Sequence, residues 1–497
     1  MKNKIIYLMV AASLLGVGCS EEFLDPVRNT QVITDIDFAE NADLNPKLIA
    51  GTLDGIGAFM IEPAGVTGTR HYDLGQKGVD IFLDILSGDM ALSANSYGWY
   101  QNTANLVATV DFTREENRII WEYYYKIVST ANNVIQSFGG NDAQPQNADA
   151  RHALAQAKAY RAYAYFYLTQ IFQRAYDPAQ EILPFYDLDT NSPAKVQASQ
   201  VFARITDDLN SAIALLDDYS RDQKHKIDKY VAKGLLAYTY AAMGNYADAK
   251  TLSDEIVDAN VYPLTTTGQL AYPGAGSGFN DVNSASWMWG YDITAEMGHQ
   301  LLDWWGQIDY FTYSYAWAGD RKSIDNGLYA SIPAIDVRKT QFGTTGLTAL
   351  MPINKFFDPG RTAGGQQTVT TDYIFMRIEE FYLLSAEAAA RTGNEAAAKT
   401  RLKALLNSRL GGTANTDAYV DPLTGQALID AIYLQTRIEL WGEGKSYLAL
   451  KRNQATVTRG TNHVFRSGQS FLYDIDDMSF QIPQTEFNNN SSISTQN

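Results

Sequence analysis

Five long segments carry apolar residues at helical spacing, and this periodicity constrains the fold more than any other feature of the chain. In one of them Phe202, Ile205 and Leu209 fall on a single stripe, which predicts an amphipathic helix packed on a core. Two further helices are predicted towards the C-terminal end. The seven predicted helices are residues 116–138, 148–172, 201–216, 228–242, 247–259, 426–443 and 445–451. The sequence therefore predicts a mostly α fold.

Two of these regions read as helical hairpins. Residues 232–249 resemble a tetratricopeptide hairpin, in which Ala237 and Ala249 let two helices approach closely and Gly244 supplies the left-handed turn between them. Residues 381–398 repeat the same glycine and alanine spacing. Because the repeats are unevenly spaced, they predict a tetratricopeptide-like scaffold rather than a regular solenoid. A chance resemblance of two alanine-rich hairpins is the alternative.

Residues 261–375 interrupt the helical pattern. They are rich in Gly, Thr, Ser and aromatic residues, with prolines at intervals. A stretch this long without helical periodicity is more typical of a functional insert than of a connection. We therefore expect a helical scaffold at about 112–260 and 376–452, and a loop-rich insert between them that carries the binding face.

The N-terminal residues predict export. Lys2 and Lys4 precede an apolar run that is too short to span a membrane, and Cys19, the only cysteine of the chain, follows small residues. This pattern resembles the lipobox of a bacterial lipoprotein, although Gly16 stands where leucine is usual. It predicts a signal peptide at 1–18, a lipidated Cys19 and a tether to residue 34. An ordinary signal peptide with a chance cysteine is the alternative.

The charge of the chain excludes one class of partner. The formal net charge is −17 at pH 7, and such a surface repels nucleic acid and anionic lipid headgroups. Membrane attachment then has to come from acyl chains rather than from a basic patch. With a single cysteine there is no intramolecular disulfide, so burial of the core has to stabilise the fold.

Six motifs distributed along the whole chain, in the same order, match one family. They are Cys19-Ser-Glu-Glu-Phe-Leu-Asp25, Trp121-Glu-Tyr-Tyr-Tyr125 followed by Ala131-Asn132, Arg161-Ala-Tyr163, the stretch Arg377 to Glu387, Arg437-Ile-Glu-Leu-Trp441 and Ile482-Pro483-Gln-Thr-Glu486. With these motifs the chain resembles the SusD/RagB family of outer-membrane nutrient-binding lipoproteins of Bacteroidetes-type bacteria. Gln435-Thr436 and Ala449 depart from the family pattern, within helices that serve structure.

The resemblance implies a fold and a function. It implies a single SusD-like domain over residues 35–497, anchored by lipid in the outer membrane and facing the cell surface. It implies binding of oligosaccharides and their delivery to a SusC-like TonB-dependent transporter. RagB-like peptide capture, a lipid-anchored glycosidase and a tetratricopeptide scaffold that binds only proteins are the alternatives.

Aromatic residues of the insert are the main candidates for a ligand site. In the segment Phe311 to Trp317 rings alternate with small residues, so an extended strand would place all four rings on one face, whereas a helix would pair 311 with 315 and 313 with 317. The family resemblance adds a second region around Trp99. The candidate ligand-binding residues are Trp99, Trp287, Trp289, Trp304, Trp305, Tyr313, Tyr315, Trp317, Asp303 and Arg321. A core role for most of these rings is the alternative.

No catalytic chemistry is indicated by the sequence. There is no nucleophile elbow, Walker loop, CxxC or HExxH pattern. Glu379-Glu380 and the pair Glu439 and Glu443 suggest a glycosidase pair, but they fall on predicted scaffold helices, where a solvated or salt-bridged face is expected. We therefore expect a binding protein without catalytic residues, metal or cofactor.

Overall fold

The computed structural model describes residues 46–497. The predicted signal peptide, Cys19 and the tether lie outside the described residues, so these predictions stay open. Among the described helices, none is both long and apolar enough to cross a membrane.

Helices dominate the described residues, which confirms the mostly α prediction. The α-helices are α1 Pro46–Phe59, α2 Gly75–Leu86, α3 Gln101–Ala104, α4 Glu115–Ser137, α5 Ala148–Phe172, α6 Ala198–Leu215, α7 Lys229–Ala242, α8 Tyr246–Asp258, α9 Thr267–Leu270, α10 Trp304–Ile308, α11 Tyr315–Ala318, α12 Asn326–Ser331, α13 Glu379–Arg391, α14 Glu395–Leu406, α15 Thr413–Val420, α16 Gly425–Glu439, α17 Ser446–Arg452 and α18 Gln484–Asn489.

All seven predicted helices are present, with small shifts at their ends. The largest shift concerns α16, which ends at Glu439 although a helix to residue 443 was expected. Gly442 and Gly444 adopt φ of +80° and +73° there, a left-handed conformation that ends a helix. A Cβ on Gly442 would lie 2.7 Å from the ring of Phe356. Close packing against this glycine therefore accounts for the early end of the helix.

The long helices stack side by side into a scaffold. Helices α4 to α8 pack in sequence order, α8 packs on α13, and α13 packs on both α14 and α16. The stack thus joins helices from both sides of the insert. The tetratricopeptide-like pairs α7–α8 and α13–α14 lie next to each other in it.

The two hairpins turn in the same way. Gly244 and Gly393 have φ of +76° and +80°, and the amides of the following Asn245 and Asn394 donate back to Tyr240 and Ala389 carbonyls at 2.8 Å. Each asparagine side chain then caps the next helix. One Gly-Asn dipeptide ends a helix and starts its partner in both places, as the sequence repeat predicts for the glycine.

The described residues also form four short antiparallel strand pairs, two of which join distant parts of the chain. The strands are β1 Met90–Leu92, β2 Glu181–Tyr186, β3 Asn191–Gln197, β4 Trp287–Tyr291, β5 Lys322–Ile324, β6 Tyr373–Arg377, β7 Thr456–Thr458 and β8 Ser470–Leu472. They pair as β1–β5, β2–β3, β4–β6 and β7–β8. Of these, β1–β5 joins the N-terminal region to the insert, with Met90 opposite Ile324 and Leu92 opposite Lys322.

Candidate functional site

Five rings from two distant segments form one surface, which we call the aromatic face: Tyr97, Trp99, Tyr313, Tyr315 and Trp317. Its exposed members are Tyr97, Tyr313 and Trp317, at 58%, 47% and 36% of their full accessible area. Trp99 is half-buried and Tyr315 is buried. Among the described residues only one other aromatic side chain, Tyr272, is exposed. Exposed rings are therefore concentrated at this face.

The β1–β5 pair brings the two segments together. Beyond the paired strands the Ser93 amide donates to the Arg321 carbonyl at 2.8 Å, and the Ser96 amide donates to the Gly319 carbonyl at 3.3 Å. Gly319 has φ of +139°, and a Cβ there would lie 2.3 Å from the Ser96 hydroxyl. Only glycine fits this crossing of two loops.

One buried carboxylate fixes the loop that carries Tyr97 and Trp99. Asp320 accepts hydrogen bonds from the Tyr97 amide at 2.7 Å and from the Trp99 amide at 3.1 Å. Its own side chain is fully buried. Charge-assisted bonds to backbone amides are stronger than neutral ones, so Asp320 sets the position of both rings relative to the insert.

The rings contact one another at aromatic packing distances. The centroid of Tyr315 lies 5.3 Å from that of Tyr97 and 5.8 Å from that of Trp99, both edge to face. Tyr313 and Trp317 pair at 5.3 Å. Such mutual contacts favour fixed ring orientations, so the face is formed before any ligand arrives.

His71 belongs to the same cluster, although the sequence analysis assigns it no role. Its ring stacks on Trp99 at 4.8 Å with an interplanar angle of 19°, and its Nδ1 is hydrogen-bonded to the Tyr315 hydroxyl. Burial lowers the pKa of His71 from its ordinary value. No sequence signal marks this residue, because only the fold brings it to Trp99 and Tyr315.

Of the two alternatives for the segment Phe311 to Trp317, the fully extended strand is not formed. Residues Tyr315–Ala318 form the short helix α11. Tyr313 precedes this helix, and its ring nevertheless pairs with Trp317, the pairing named for the helical alternative. A Cβ on Gly364 would lie 2.8 Å from the Trp317 ring, so one side of this indole packs directly on glycine backbone. The other predicted pair, Phe311 with Tyr315, is not formed: Phe311 packs against Arg361.

The buried side chain of Asp309 holds the start of the segment Phe311 to Trp317 in place. Its carboxylate accepts from the Phe311 amide at 3.0 Å and the Thr312 hydroxyl at 2.8 Å. It also accepts from the Asp358 amide at 3.0 Å, which joins the loop to its neighbour. Burial, only partly offset by these bonds, raises the pKa of Asp309 to about 7.

Four of the predicted ligand contacts are core residues, and the structure corrects them. Trp287, Trp289, Trp304 and Trp305 are between 0% and 2% exposed. The first two lie on β4, which is paired with β6 and buried along its whole length. The other two lie on α10, packed against Phe356. A surface ligand does not reach these rings.

Asp303 is likewise a structural residue, and the structure corrects its predicted role. It is 1% exposed, caps α10 by accepting from the Trp305 amide at 2.8 Å, and accepts from the Tyr373 hydroxyl at 2.5 Å. Its remaining contact is with His299 Nδ1 at 2.8 Å. Arg321, by contrast, is half-buried beside the aromatic face, and its role in binding stays a prediction.

A buried amine lies under the face. The Lys322 ammonium donates to the Gln307 side chain at 2.6 Å, and Gln307 donates to the His71 carbonyl at 2.8 Å. The ammonium also lies 4.9 Å from the centroid of the Tyr100 ring. Burial lowers the pKa of Lys322 to about 7. This chain of contacts connects β5 to the His71 segment and supports the rings above it.

A groove adjoins the aromatic face at His71. It has a volume of about 520 Å³ and is lined by Glu62, Pro63, His71 and residues 297–302. That volume falls in the range of small-molecule sites. His71 thus contacts Trp99 on one side and borders the groove on the other.

The carboxylates that suggested a glycosidase pair are inaccessible. Glu439 and Glu443 are both buried, and Arg377 donates to both of them at 2.8 Å. Although burial alone would raise it, the charges of Arg377 and Lys355 lower the pKa of Glu443 to about 2. These side chains join the insert to the scaffold. Over residues 46–497, no group of three or more His, Cys, Asp or Glu side chains is arranged to hold a metal ion.

Two family profiles match the chain in separate segments. Residues 307–497 match the profile described as the SusD family, and residues 67–241 match one described as starch-binding associating with outer membrane. The chain belongs to the SusD/RagB family. This confirms the resemblance carried by the sequence motifs. The two matched segments contain all five rings of the aromatic face.

Solved SusD-like proteins share the fold. A SusD-like carbohydrate-binding protein from Bacteroides vulgatus is 24% identical, with a TM-score of 0.74 over 90% of this chain and 97% of that one. Surface glycan-binding protein A from Bacteroides thetaiotaomicron, in complex with laminarihexaose, is 14% identical, with a TM-score of 0.66 over 91% and 99%.

Curated relatives match over shorter stretches. A SusD-like protein of Bacteroides ovatus is 26% identical over 256 residues, which are 50% of this chain and 41% of that protein. The chain matches about two fifths of the length of the curated relatives.

Proposed function

We propose that the protein binds oligosaccharides at the aromatic face and has no catalytic role. The observation that carries this proposal is the concentration of exposed rings there: three of the four exposed aromatic side chains among the described residues are Tyr97, Tyr313 and Trp317. A tyrosine or tryptophan offers an apolar ring face and a polar tip. Such rings suit the apolar C–H faces and the hydroxyl groups of sugars.

Membership of the SusD/RagB family supports this function, as does the relative whose structure contains laminarihexaose. The burial of Glu439 and Glu443 supports a role without catalysis, because these carboxylates do not meet a surface ligand. The face is also held in place by Asp320 and by ring–ring contacts, which lowers the entropic cost of binding.

Affinity electrophoresis in gels that contain starch, laminarin and other polysaccharides tests the proposal. We expect at least one polysaccharide to retard the wild-type protein, and the double variant Trp99→Ala/Trp317→Ala to migrate as in a gel without polysaccharide. Leu472→Ala is the matched control, since Leu472 is an exposed apolar residue, at 56%, on β8 outside the face. If the double variant were retarded as strongly as the wild type, the aromatic face would not be the binding site.

Peptide capture of the RagB type is the second candidate function, because exposed tyrosine and tryptophan rings also suit apolar peptide side chains. A panel of oligopeptides in isothermal titration calorimetry separates the two. Binding of peptides without retardation by any polysaccharide would favour peptide capture.

Delivery of the bound ligand to a SusC-like TonB-dependent transporter completes the proposal, with the protein lipid-anchored at Cys19 and facing the cell surface. Anchoring would keep binder and transporter at high effective concentration in one membrane. We expect Cys19→Ala to release the protein from the membrane fraction and to slow uptake of a labelled glycan, whereas Ser20→Ala changes neither. A Cys19→Ala protein that stays in the membrane fraction would contradict the anchor.

A further inference from the structure

A second cavity continues the groove away from the aromatic face. It has a volume of about 590 Å³. Its lining includes residues 221–225 of the α6–α7 connection, Tyr291 at the end of β4, and Asp292, Thr294 and Met297 beyond that strand. Met297 lines both this cavity and the groove at His71. The two cavities are therefore neighbours, with Met297 at their common border.

One wall of this cavity is aromatic. The rings of His225 and Tyr291 stack at 4.9 Å with an interplanar angle of 27°. Tyr291 lies at the end of β4, whose pairing with β6 fixes it. The cavity thus contains a stacked ring pair with nearly the same spacing as that of His71 and Trp99.

Lys224 is the unusual polar group of this cavity. Its ammonium donates to the Ser284 carbonyl at 2.6 Å, and in residues 46–497 no carboxylate lies within ion-pair distance of it. An ammonium has three donors, so two remain for a ligand. Burial lowers the pKa of Lys224 to about 8, and the side chain therefore still carries a positive charge at neutral pH.

The neighbouring charges of the cavity are mostly paired. Arg221 pairs with Asp228 at 3.2 Å, and His225 contacts Asp54 at 3.3 Å. Asp222, which faces the same cavity, pairs with Lys226 at 2.9 Å. Lys224 has no such direct partner among the described residues, although the charge of Asp281 acts on it from beyond ion-pair distance. Asp292 lines the same cavity and is exposed.

Lys451 shows what a purely structural lysine looks like in this protein. It also lines a cavity and has no carboxylate partner within the described part of the chain. However, it uses all three donors internally, to the carbonyls of Gln170 and Gln173 and to the Ser479 hydroxyl. Lys224, with one internal bond, differs from it in having free donor capacity inside a cavity.

We propose that Lys224 and the His225–Tyr291 stack form a second subsite, which binds an anionic group of the ligand, a carboxylate or a sulfate on a sugar unit. This inference rests on the proposed function. The subsite selects acidic oligosaccharides long enough to extend from the aromatic face past Met297. Because the protein carries a net charge of −17, which repels acidic glycans in general, a local cation is needed for such selection.

Affinity electrophoresis with three polysaccharides tests the subsite: laminarin as a neutral glycan, polygalacturonate as a carboxylate source and carrageenan as a sulfate source. We expect the wild type to be retarded by polygalacturonate or carrageenan, and Lys224→Met to bind that glycan roughly tenfold or more weakly, as for loss of a charge-assisted hydrogen bond. Which of the two is bound distinguishes carboxylate from sulfate recognition.

Lys226→Met is the matched control, since Lys226 lies two residues further on and its charge is paired with Asp222. We expect it to bind as the wild type does, and Lys224→Arg to retain binding. Absence of binding to both acidic glycans, or equal binding by Lys224→Met and wild type, overturns the subsite. Binding of laminarin alone would reject the subsite and keep the proposed function, whereas binding of no glycan by the wild type would reject both.

Discussion

The region around residues 287–305 and the aromatic face are both rich in rings, yet one is core and the other is surface. Both Trp305 and Trp317 lie on short helices, but Trp305 is fully buried. Trp317 packs on Gly364 and Tyr313 and remains 36% exposed. A high content of aromatic residues therefore does not by itself place a region on the surface or in the core. What differs is whether neighbouring elements cover the rings, and this depends on contacts between segments far apart in the sequence.

The largest expected effect is on stability, and it separates the two regions. Trp305→Ala should lower the free energy of unfolding by roughly 3–5 kcal/mol, because it removes a fully buried ring. Trp317→Ala should cost about 1 kcal/mol or less, since the ring is partly exposed. Urea denaturation followed by circular dichroism measures both.

Trp305→Phe is the control for the core ring. The indole nitrogen of Trp305 has no hydrogen-bond partner among the described residues, so phenylalanine removes volume but no such bond, and the loss should be smaller than for alanine. Equal losses of stability for Trp305→Ala and Trp317→Ala would abolish the distinction between the two regions.

The second effect is on glycan affinity, for which the Trp317 substitution should have the larger effect and the Trp305 substitution the smaller one. Trp317→Ala should weaken binding of a retained glycan by roughly tenfold or more, as expected when a central aromatic contact is removed. Isothermal titration calorimetry measures the affinity, with Trp305→Phe as the variant expected to bind normally. If a folded Trp305→Phe protein lost more affinity than Trp317→Ala, the ligand would bind near residues 287–305 and not at the aromatic face.

The third effect concerns the position of the rings rather than the rings themselves. Asp320→Asn should lower the free energy of unfolding by about 1–3 kcal/mol, because the negative charge is lost and one of the two amides of Tyr97 and Trp99 then faces an NH2 group instead of an acceptor. It should also weaken glycan binding several-fold, because a loop that is held less firmly loses more conformational entropy when the ligand binds. Urea unfolding midpoints measure the loss of stability, and isothermal titration calorimetry measures the loss of affinity. Unchanged affinity would show that Asp320 does not position the aromatic face.

The smallest effect is a pH dependence from His71. Burial lowers its pKa below the ordinary value of 6.5, so the unfolded chain binds this proton more readily than the folded one. Stability should therefore rise with pH over the interval just below 6.5 and level off above it. Thermal unfolding between about pH 5 and pH 7 should show a steeper dependence for wild type than for His71→Gln. Identical slopes for the two proteins would show that His71 does not contribute to the pH dependence of stability.

The helical scaffold is predictable from the sequence because its signals are local. Apolar spacing locates the seven helices, and the glycine at the turn of each hairpin locates Gly244 and Gly393. Long helices with a strong periodicity are insensitive to distant contacts. Only the end of α16 differs by several residues, at the point where Gly442 packs on Phe356 from the insert.

The binding face is only partly predictable, since its signals are not local. Trp99, Tyr313, Tyr315 and Trp317 are brought together by the β1–β5 pair, for which three-residue strands leave no clear pattern in the sequence. His71 was missed for the same reason. The prediction of ligand contacts at the buried tryptophans on β4 and α10 is wrong because a cluster of rings in the sequence looks the same whether it lines a surface or fills a core.

Oxidative footprinting of tryptophan, read by mass spectrometry, tests most directly that the aromatic face and not the buried cluster binds glycan. In the free protein Trp99 and Trp317 should be oxidised, while Trp287, Trp289, Trp304 and Trp305 should stay unmodified. Addition of a polysaccharide that retards the wild type should protect Trp99 and Trp317. Protection of neither, with the glycan bound, would contradict the assignment of the site.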